Sequence, residues 1–123
     1  MVEKLKNIAV EIKREKGGVF VFALLKMDEL TDKWSVILSA PWISEGDSDE
    51  IFKYVLSKFK KELSPEELSS IARLGLLGES EHLVELLLQY RAGTEIRNKT
   101  LNGNEIHEGY ILESSSDAKA LVE

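Results

Sequence analysis

Four side chains with metal-binding chemistry lie in two short acidic segments of the chain. Asp47 and Asp49 belong to the first segment, and Glu79 and His82 belong to the second. Carboxylates bind Mg²⁺ and Mn²⁺, and such ions activate water for hydrolysis. The same residue types also cap helices and complement the positive end of the helix dipole. The sequence favours the capping role and keeps a metal site built from all four residues as the alternative.

Other routes to catalysis lack their characteristic residues. The chain has no cysteine, which excludes disulfides, thiolate nucleophiles and cysteine-bound zinc. A serine triad would need a serine with one of the two histidines and an acid, such as Ser39 with His82, yet the sequence contains no G-x-S-x-G turn. Residues 75–78 (GLLG) lack the Lys-Ser/Thr pair of a phosphate-binding loop. We therefore expect no cofactor and assign no catalytic residue.

The charge balance argues against nucleic acid as a partner. The chain carries 22 acidic and 16 basic residues, a net charge of −6, whereas nonspecific affinity for nucleic acid comes from neutralised phosphates. The two acidic segments, which lack Lys and Arg, fit a divalent cation or a basic partner better than a phosphate ligand. The lysines of one segment alternate with apolar residues and indicate the solvent side of an amphipathic helix. They are Lys53, Lys58, Lys60 and Lys61.

Length and composition predict one globular domain. A chain of 123 residues suffices for one hydrophobic core and is too short for two. No apolar run approaches the roughly 20 residues that span a bilayer, and the charged N-terminus differs from a signal peptide. We therefore expect a cytoplasmic protein without membrane contact. Many Glu and Lys residues beside a single glutamine favour a heat-adapted, thermostable protein.

The first part of the chain predicts a helix and two strands. Apolar residues at helical spacing indicate a helix over residues 2–16, which Gly17-Gly18 ends. The strand Val19–Met27 is apolar on both faces, so we expect it inside the sheet. A polar turn leads to the strand Trp34–Ala40, whose Ser35, Ile37 and Ser39 form a face of small residues that lets another element approach.

The middle of the chain predicts two helices, a strand and a further helix. Asp47 and Glu50 form a capping box for a helix that ends near Leu63, and Ser64-Pro65 begins a shorter one. Residues 71–77 are short and apolar, which predicts a buried strand. Residues 80–91 predict a helix with only a narrow polar stripe, which is typical of a deeply buried helix or an interface.

A β-hairpin ends the domain around Asn102-Gly103-Asn104. Treating these three residues as the loop pairs Ile96 with Tyr110 and Lys99 with His107, and it keeps apolar and polar faces apart. A two-residue loop would mix the faces. The sequence therefore favours the three-residue loop and places His107 on the polar side.

Together these elements predict a single α+β domain over residues 1–113 and a flexible tail over 114–123. The order is α-ββ-αα-β-α-ββ, with a mixed sheet of about five strands packed with helices. If the helical crossover joins strands two and three as parallel neighbours, their C-terminal ends lie side by side, where open α/β sheets bind ligands. The predicted binding site is formed there by Trp42, Asp47, Asp49, Glu79 and His82.

The second strand also carries a family resemblance. Lys33-Trp34 and Ser39-Ala40-Pro41-Trp42 form a K-W-x-x-x-x-S-A-P-W strand. In this motif, in residues 63–68 (LSPEEL) and in the apolar strand around Arg73, the chain resembles a family of small, uncharacterised prokaryotic proteins. The resemblance covers about the middle half of the chain and implies an α+β domain. It implies no functional residue.

The sequence predicts a non-catalytic protein-interaction module that self-associates as a homodimer. We expect the contact to use the apolar helix Leu83–Tyr90 and exposed strand edges. One alternative is a hydrolase that holds Mg²⁺ or Mn²⁺ with Asp47, Asp49, Glu79 and His82. The other is an acidic antidote or regulator of a basic partner protein.

Overall fold

The computed structural model describes residues 1–27, 33–78 and 81–114, which form helices and one β-sheet. The α+β prediction and the order of its elements are confirmed, with one short helix, α2, in addition. In chain order the elements are α1 (Val2–Lys16), β1 (Val21–Met27), β2 (Trp34–Ser39), α2 (Pro41–Glu45), α3 (Ser48–Glu62), α4 (Pro65–Ser69), β3 (Ile71–Leu77), α5 (His82–Leu87), β4 (Glu95–Leu101) and β5 (Asn104–Ser114).

The five strands form one mixed sheet in the order β3-β2-β1-β5-β4. β1 lies at the centre, as its two apolar faces predict. β2 and β3 are parallel, and the other neighbouring pairs are antiparallel. α2, α3 and α4 therefore make the crossover between the parallel strands, and a helical crossover is expected from the sequence.

The two faces of the sheet support two separate hydrophobic clusters. The first cluster joins the sheet to α1 and α3; its buried members include Leu5, Ile8, Ile12, Phe22, Leu24, Val36, Leu38, Ile51, Val55, Phe59 and Leu112. The second cluster joins the sheet to α5; its buried members include Val21, Ala23, Leu25, Ile37, Leu83, Val84, Leu87, Ile96, Ile106 and Ile111. Alternate residues of β1 and β2 enter opposite clusters, as the strand period requires.

The prediction that residues 71–77 form a buried strand is wrong in its burial. The strand exists with those bounds, but β3 lies at an edge of the sheet and none of its side chains is fully buried. Ala72 and Arg73 are exposed, and the remaining residues are half-buried. An apolar composition alone cannot separate an inner strand from an edge strand, because both present apolar side chains to a core.

The helix predicted over residues 80–91 is shorter than expected, since α5 covers only His82–Leu87. Leu83, Val84 and Leu87 are buried against the second cluster. Leu86, Leu88 and Tyr90 are half-buried and pack against the same cluster. One chain therefore covers half of the apolar side chains that indicated an interface, and partly covers the rest.

The register predicted for the C-terminal hairpin is wrong. Leu101 pairs with Asn104, so the loop has two residues, and Ile96 pairs with Gly109 instead of Tyr110. Asn102 and Gly103 have φ angles of 51° and 78°, the left-handed values that a type I′ turn needs. Asn98 is also left-handed, with φ 50°, which interrupts the alternation of β4 and lets Ile96 and Leu101 both be buried.

The described part of the chain ends with β5, whose last residue is Ser114. Residues 115–123 of the predicted tail, and most of the predicted turn between β1 and β2, lie outside the described residues. None of the helices in the described part of the chain has the length and apolar character needed to cross a membrane.

A capping box ties the short helix α4 to the N-terminus of the chain. Ser64 Oγ accepts from the Glu67 amide at 3.1 Å, and the Glu67 carboxylate accepts from the Ser64 amide at 2.9 Å. The same carboxylate accepts a hydrogen bond from Lys4 Nζ at 2.6 Å. The Lys4 ammonium, and after it the Ser64 amide, lowers the pKa of Glu67 to about 2 from an ordinary value of 4.5.

This depressed pKa predicts a loss of stability in acid. Because the folded state favours ionised Glu67, its contribution is complete above about pH 4.5 and is lost as the pH falls towards 2. Glu67→Gln should remove part of this dependence, so its melting temperature should fall less steeply between those pH values. Glu66→Gln, which changes an exposed neighbour, is the control. Parallel acid melting curves for wild type and Glu67→Gln would contradict the assignment.

Candidate functional site

The C-terminal ends of β2 and β3 lie side by side, as the site prediction requires. Ser39 pairs with Leu77 at the ends of the two strands. After β2 the chain enters α2, which begins at Pro41 and carries Trp42. After β3 it passes Gly78 and reaches α5. Glu79, one of the predicted site residues, lies outside the described residues.

Trp42 and Asp47 line a shallow cleft of about 190 Å³ beside α3. Trp42 Nε1 donates to the carbonyl oxygen of Gly18 at 3.1 Å, and its ring meets the ring of Tyr54 edge-on, with centroids 6.4 Å apart. Lys16 and Glu50 also line the cleft. The cleft therefore combines two aromatic rings, two carboxylates and one ammonium group.

A close backbone approach shapes one wall of this cleft. Gly46 connects α2 to the cap of α3, and a Cβ atom there would lie 2.6 Å from Ile51 Cδ1 and 3.1 Å from the Trp42 carbonyl oxygen. A larger residue would require the end of the Ile51 side chain to shift and would crowd the Trp42 carbonyl oxygen. Glycine thus brings the turn after Trp42 against the first turn of α3.

The first acidic segment serves the N-terminus of α3. Asp47 Oδ1 accepts hydrogen bonds from the amides of Asp49 and Glu50 at 2.9 and 3.1 Å. Asp47 is therefore the N-cap, as the sequence predicts. Asp49 and Glu50 are exposed in the first helical turn, where their charges complement the helix dipole.

His82 lies apart from Trp42 and Asp47. It begins α5, which packs on the second cluster, whereas α3 packs on the first cluster across the sheet. The His82 ring is exposed, and its Nδ1 is 3.7 Å from a Glu85 carboxylate oxygen. Within residues 1–27, 33–78 and 81–114, no three His, Asp or Glu side chains are placed to hold a metal ion.

Sequence reasoning missed the polar network that joins α1 to α3 next to the cleft. Lys58 Nζ contacts carboxylate oxygens of Glu11 at 2.5 Å and Glu15 at 2.7 Å, and the Tyr54 hydroxyl donates to Glu15 at 2.5 Å. Lys58 is only 13% exposed. Its expected place on a solvated helix face is therefore wrong. Glu11 and Glu15, one helical turn apart, were the signal that a cation faces them.

The network changes the acid–base properties of its members. Hydrogen bonds from Lys58 hold the pKa of Glu11 and of Glu15 below the ordinary value, and the two carboxylates raise the pKa of Lys58. Burial, followed by the hydrogen bond to Glu15, raises the pKa of Tyr54 to about 12. At neutral pH the Tyr54 hydroxyl is protonated and acts as a hydrogen-bond donor.

Comparison of the chain with protein-family models, with curated proteins and with solved structures found no match. The family resemblance of residues 33–42 therefore stays a prediction.

The network predicts an unequal effect of two lysine substitutions on α3. Lys58→Met removes the ammonium group that Glu11 and Glu15 share and leaves the half-buried Glu11 with only Lys61, 3.7 Å away, so the melting temperature at pH 7 should fall. Lys53→Met changes an exposed lysine of the same helix and should leave the melting temperature nearly unchanged. Equal melting temperatures for the two variants, measured by circular dichroism, would show that the network does not stabilise the α1–α3 contact.

Proposed function

We propose that this chain is a non-catalytic protein-interaction module that self-associates as a homodimer. The observation that carries the proposal is the difference between the two edges of the sheet. Edge strands expose unpaired backbone groups, and proteins that stay monomeric protect them with charges, bulges or prolines. One edge of this sheet has such protection, and the other has little.

The β4 edge is protected. Its exposed residues include Glu95, Arg97 and Lys99, and Arg97 bridges Glu95 at 2.6 Å and Glu108 at 3.3 Å. The left-handed Asn98 also interrupts the strand. An incoming strand would have to desolvate these charges and follow an irregular backbone, so this edge disfavours pairing.

The β3 edge is open by comparison. Its sequence, IARLGLL, contains one charged residue, Arg73, and no proline. Among the described residues β3 pairs with β2 alone, which leaves its outer side without a strand partner. Leu74, Leu76 and Leu77 remain half-buried, so a partner along this edge would remove apolar surface from water and pair backbone groups together.

Self-association predicts a concentration-dependent mass. Sedimentation equilibrium of the full chain should give twice the 13.9 kDa of one chain at high micromolar concentration, and a falling average mass on dilution. Added salt should not dissociate the dimer, because an apolar contact is not screened as ion pairs are. A mass of one chain at several hundred micromolar would remove the proposal.

A basic protein partner is the second candidate, and the cleft beside Trp42 supports it. Asp47 and Glu50 supply negative charge, and the Trp42 ring supplies a face for a cationic side chain. The positive charge of Lys16 would repel a cationic ligand. Its ammonium group, however, lies over the Tyr54 ring, 4.9 Å from the ring centre, where it makes a cation–π contact. No observation in the described residues favours the metal-dependent hydrolase.

Tryptophan fluorescence tests the second candidate. An oligolysine peptide at low salt should change the fluorescence of wild type and of Trp34→Phe, because Trp42 remains in both. The change should vanish in Trp42→Phe and on replacing the peptide by oligoglutamate. A response that persists in Trp42→Phe would exclude the cleft as the binding place.

We also propose that the protein resides in the cytoplasm and is thermostable. The absence of cysteine supports the location. The ion-pair network around Lys58 supports the thermal stability, since such networks contribute more at high temperature.

A further inference from the structure

We infer that two copies of this chain pair β3 with β3, antiparallel, about a twofold axis at Gly75. This inference rests on the proposed self-association and specifies its contact. The sheets of the two copies would then form one continuous sheet through the shared edge. Four features of β3 support this arrangement: its straight segment, its matched faces, its central glycine and its single charge.

The straight segment of β3 is Arg73–Leu77. These five residues pair without interruption with residues 35–39 of β2. Before them the register shifts, because Trp34 pairs with Ile71 and Ser35 pairs with Arg73, which leaves Ala72 without a partner. A bulge at Ala72 disfavours further pairing on that side. A new strand would therefore align with Arg73–Leu77, whose middle residue is Gly75.

Pairing around Gly75 matches the two faces of the sheet. Leu74 of one copy stands opposite Leu76 of the other, and both residues belong to the face that packs on the first cluster. The two Leu74–Leu76 pairs would bring four leucines together above one side of the shared sheet. Each is half-buried in one chain, so the contact removes remaining apolar surface from water.

Gly75 is suited to the axis position. Its own Cβ position is tight, since a Cβ atom would lie 3.2 Å from Ile37 Cδ1. With no side chain on either copy, the two backbones can approach at the axis without a clash. Glycine inside a strand often marks a place where another backbone approaches closely.

The charge of Arg73 selects antiparallel over parallel pairing. In the antiparallel arrangement each Arg73 stands opposite Leu77 of the other copy, and the two guanidinium-bearing residues lie at opposite ends of the contact. Their separation along the strands is roughly 13 Å, at about 3.3 Å per residue over four residues, so their repulsion is largely screened at physiological salt. Parallel pairing in register would place Arg73 beside Arg73, which is unfavourable.

Cysteine cross-linking tests the arrangement directly, because the natural chain has no cysteine. Residues opposite each other across antiparallel strands have Cα atoms about 4.5–5.5 Å apart, within the range for a disulfide. Under mild oxidation, a mixture of Leu74→Cys and Leu76→Cys chains should form the mixed dimer faster than either variant alone. Thr100→Cys, on the protected β4 edge, should stay monomeric on a denaturing gel.

Lysine substitutions give an independent measurement in solution. Leu76→Lys places two lysines in the shared contact and should raise the dissociation constant at least about tenfold, whereas Thr100→Lys on β4 should leave it unchanged. A circular dichroism spectrum shows whether Leu76→Lys has kept its fold.

These measurements distinguish a failure of β3 pairing from a failure of self-association. A dimer that forms with unchanged affinity in folded Leu76→Lys, or that cross-links no better through β3 than through Thr100→Cys, overturns β3 pairing and leaves self-association standing. A wild-type chain that stays monomeric at high micromolar concentration overturns both.

Discussion

The structure depends on burying β1 on both faces. Residues 21–25 are all buried, and successive side chains enter opposite clusters. A strand of this kind is stable only if a layer of protein covers each face. α1 and α3 cover one face, and α5 contributes to covering the other. Because α5 has six residues, its layer is thin, and Leu86, Leu88 and Tyr90 remain half-buried beside it.

The crossover from β2 to β3 determines the surfaces that the molecule presents. It passes over the face that α1 covers, so Lys58 of α3 meets Glu11 and Glu15 of α1. It also returns the chain to the outer side of β2, which leaves β3 as an edge strand. The same sheet then separates Asp47 from His82, since α3 and α5 lie on opposite faces. The Lys58 network and the cleft beside Trp42 therefore lie on one face of the sheet, His82 lies on the other face, and the apolar strand β3 lies at an edge.

Much of the fold could be predicted because the decisive signals are local. The alternation of β1 and β2, the Asp47 and Ser64 caps and Gly17 as the end of α1 depend on neighbouring residues, and the structure agrees with each. The predicted register of the C-terminal hairpin is wrong because two local signals competed there. Asn102-Gly103 prefers left-handed backbone angles, which favour a two-residue loop, and this preference outweighed the separation of polar and apolar faces. The left-handed Asn98 interrupts the alternation of β4, so Ile96 and Leu101 can both be buried in that register.

The candidate site depends partly on local signals and partly on contacts between distant elements. Trp42 and Asp47 lie together because they are five positions apart and Gly46 permits a tight turn between them, which the sequence could indicate. Lys16 and Tyr54 join them only because α1 packs on α3. By itself the sequence determined the two caps, the positions of the strands and the helices α1, α3 and α4, since these depend on side-chain period and nearby backbone. Tertiary structure alone decided that Lys58 is enclosed, that His82 lies across the sheet from Trp42, and that β3 is an edge, because each depends on which elements become neighbours in space.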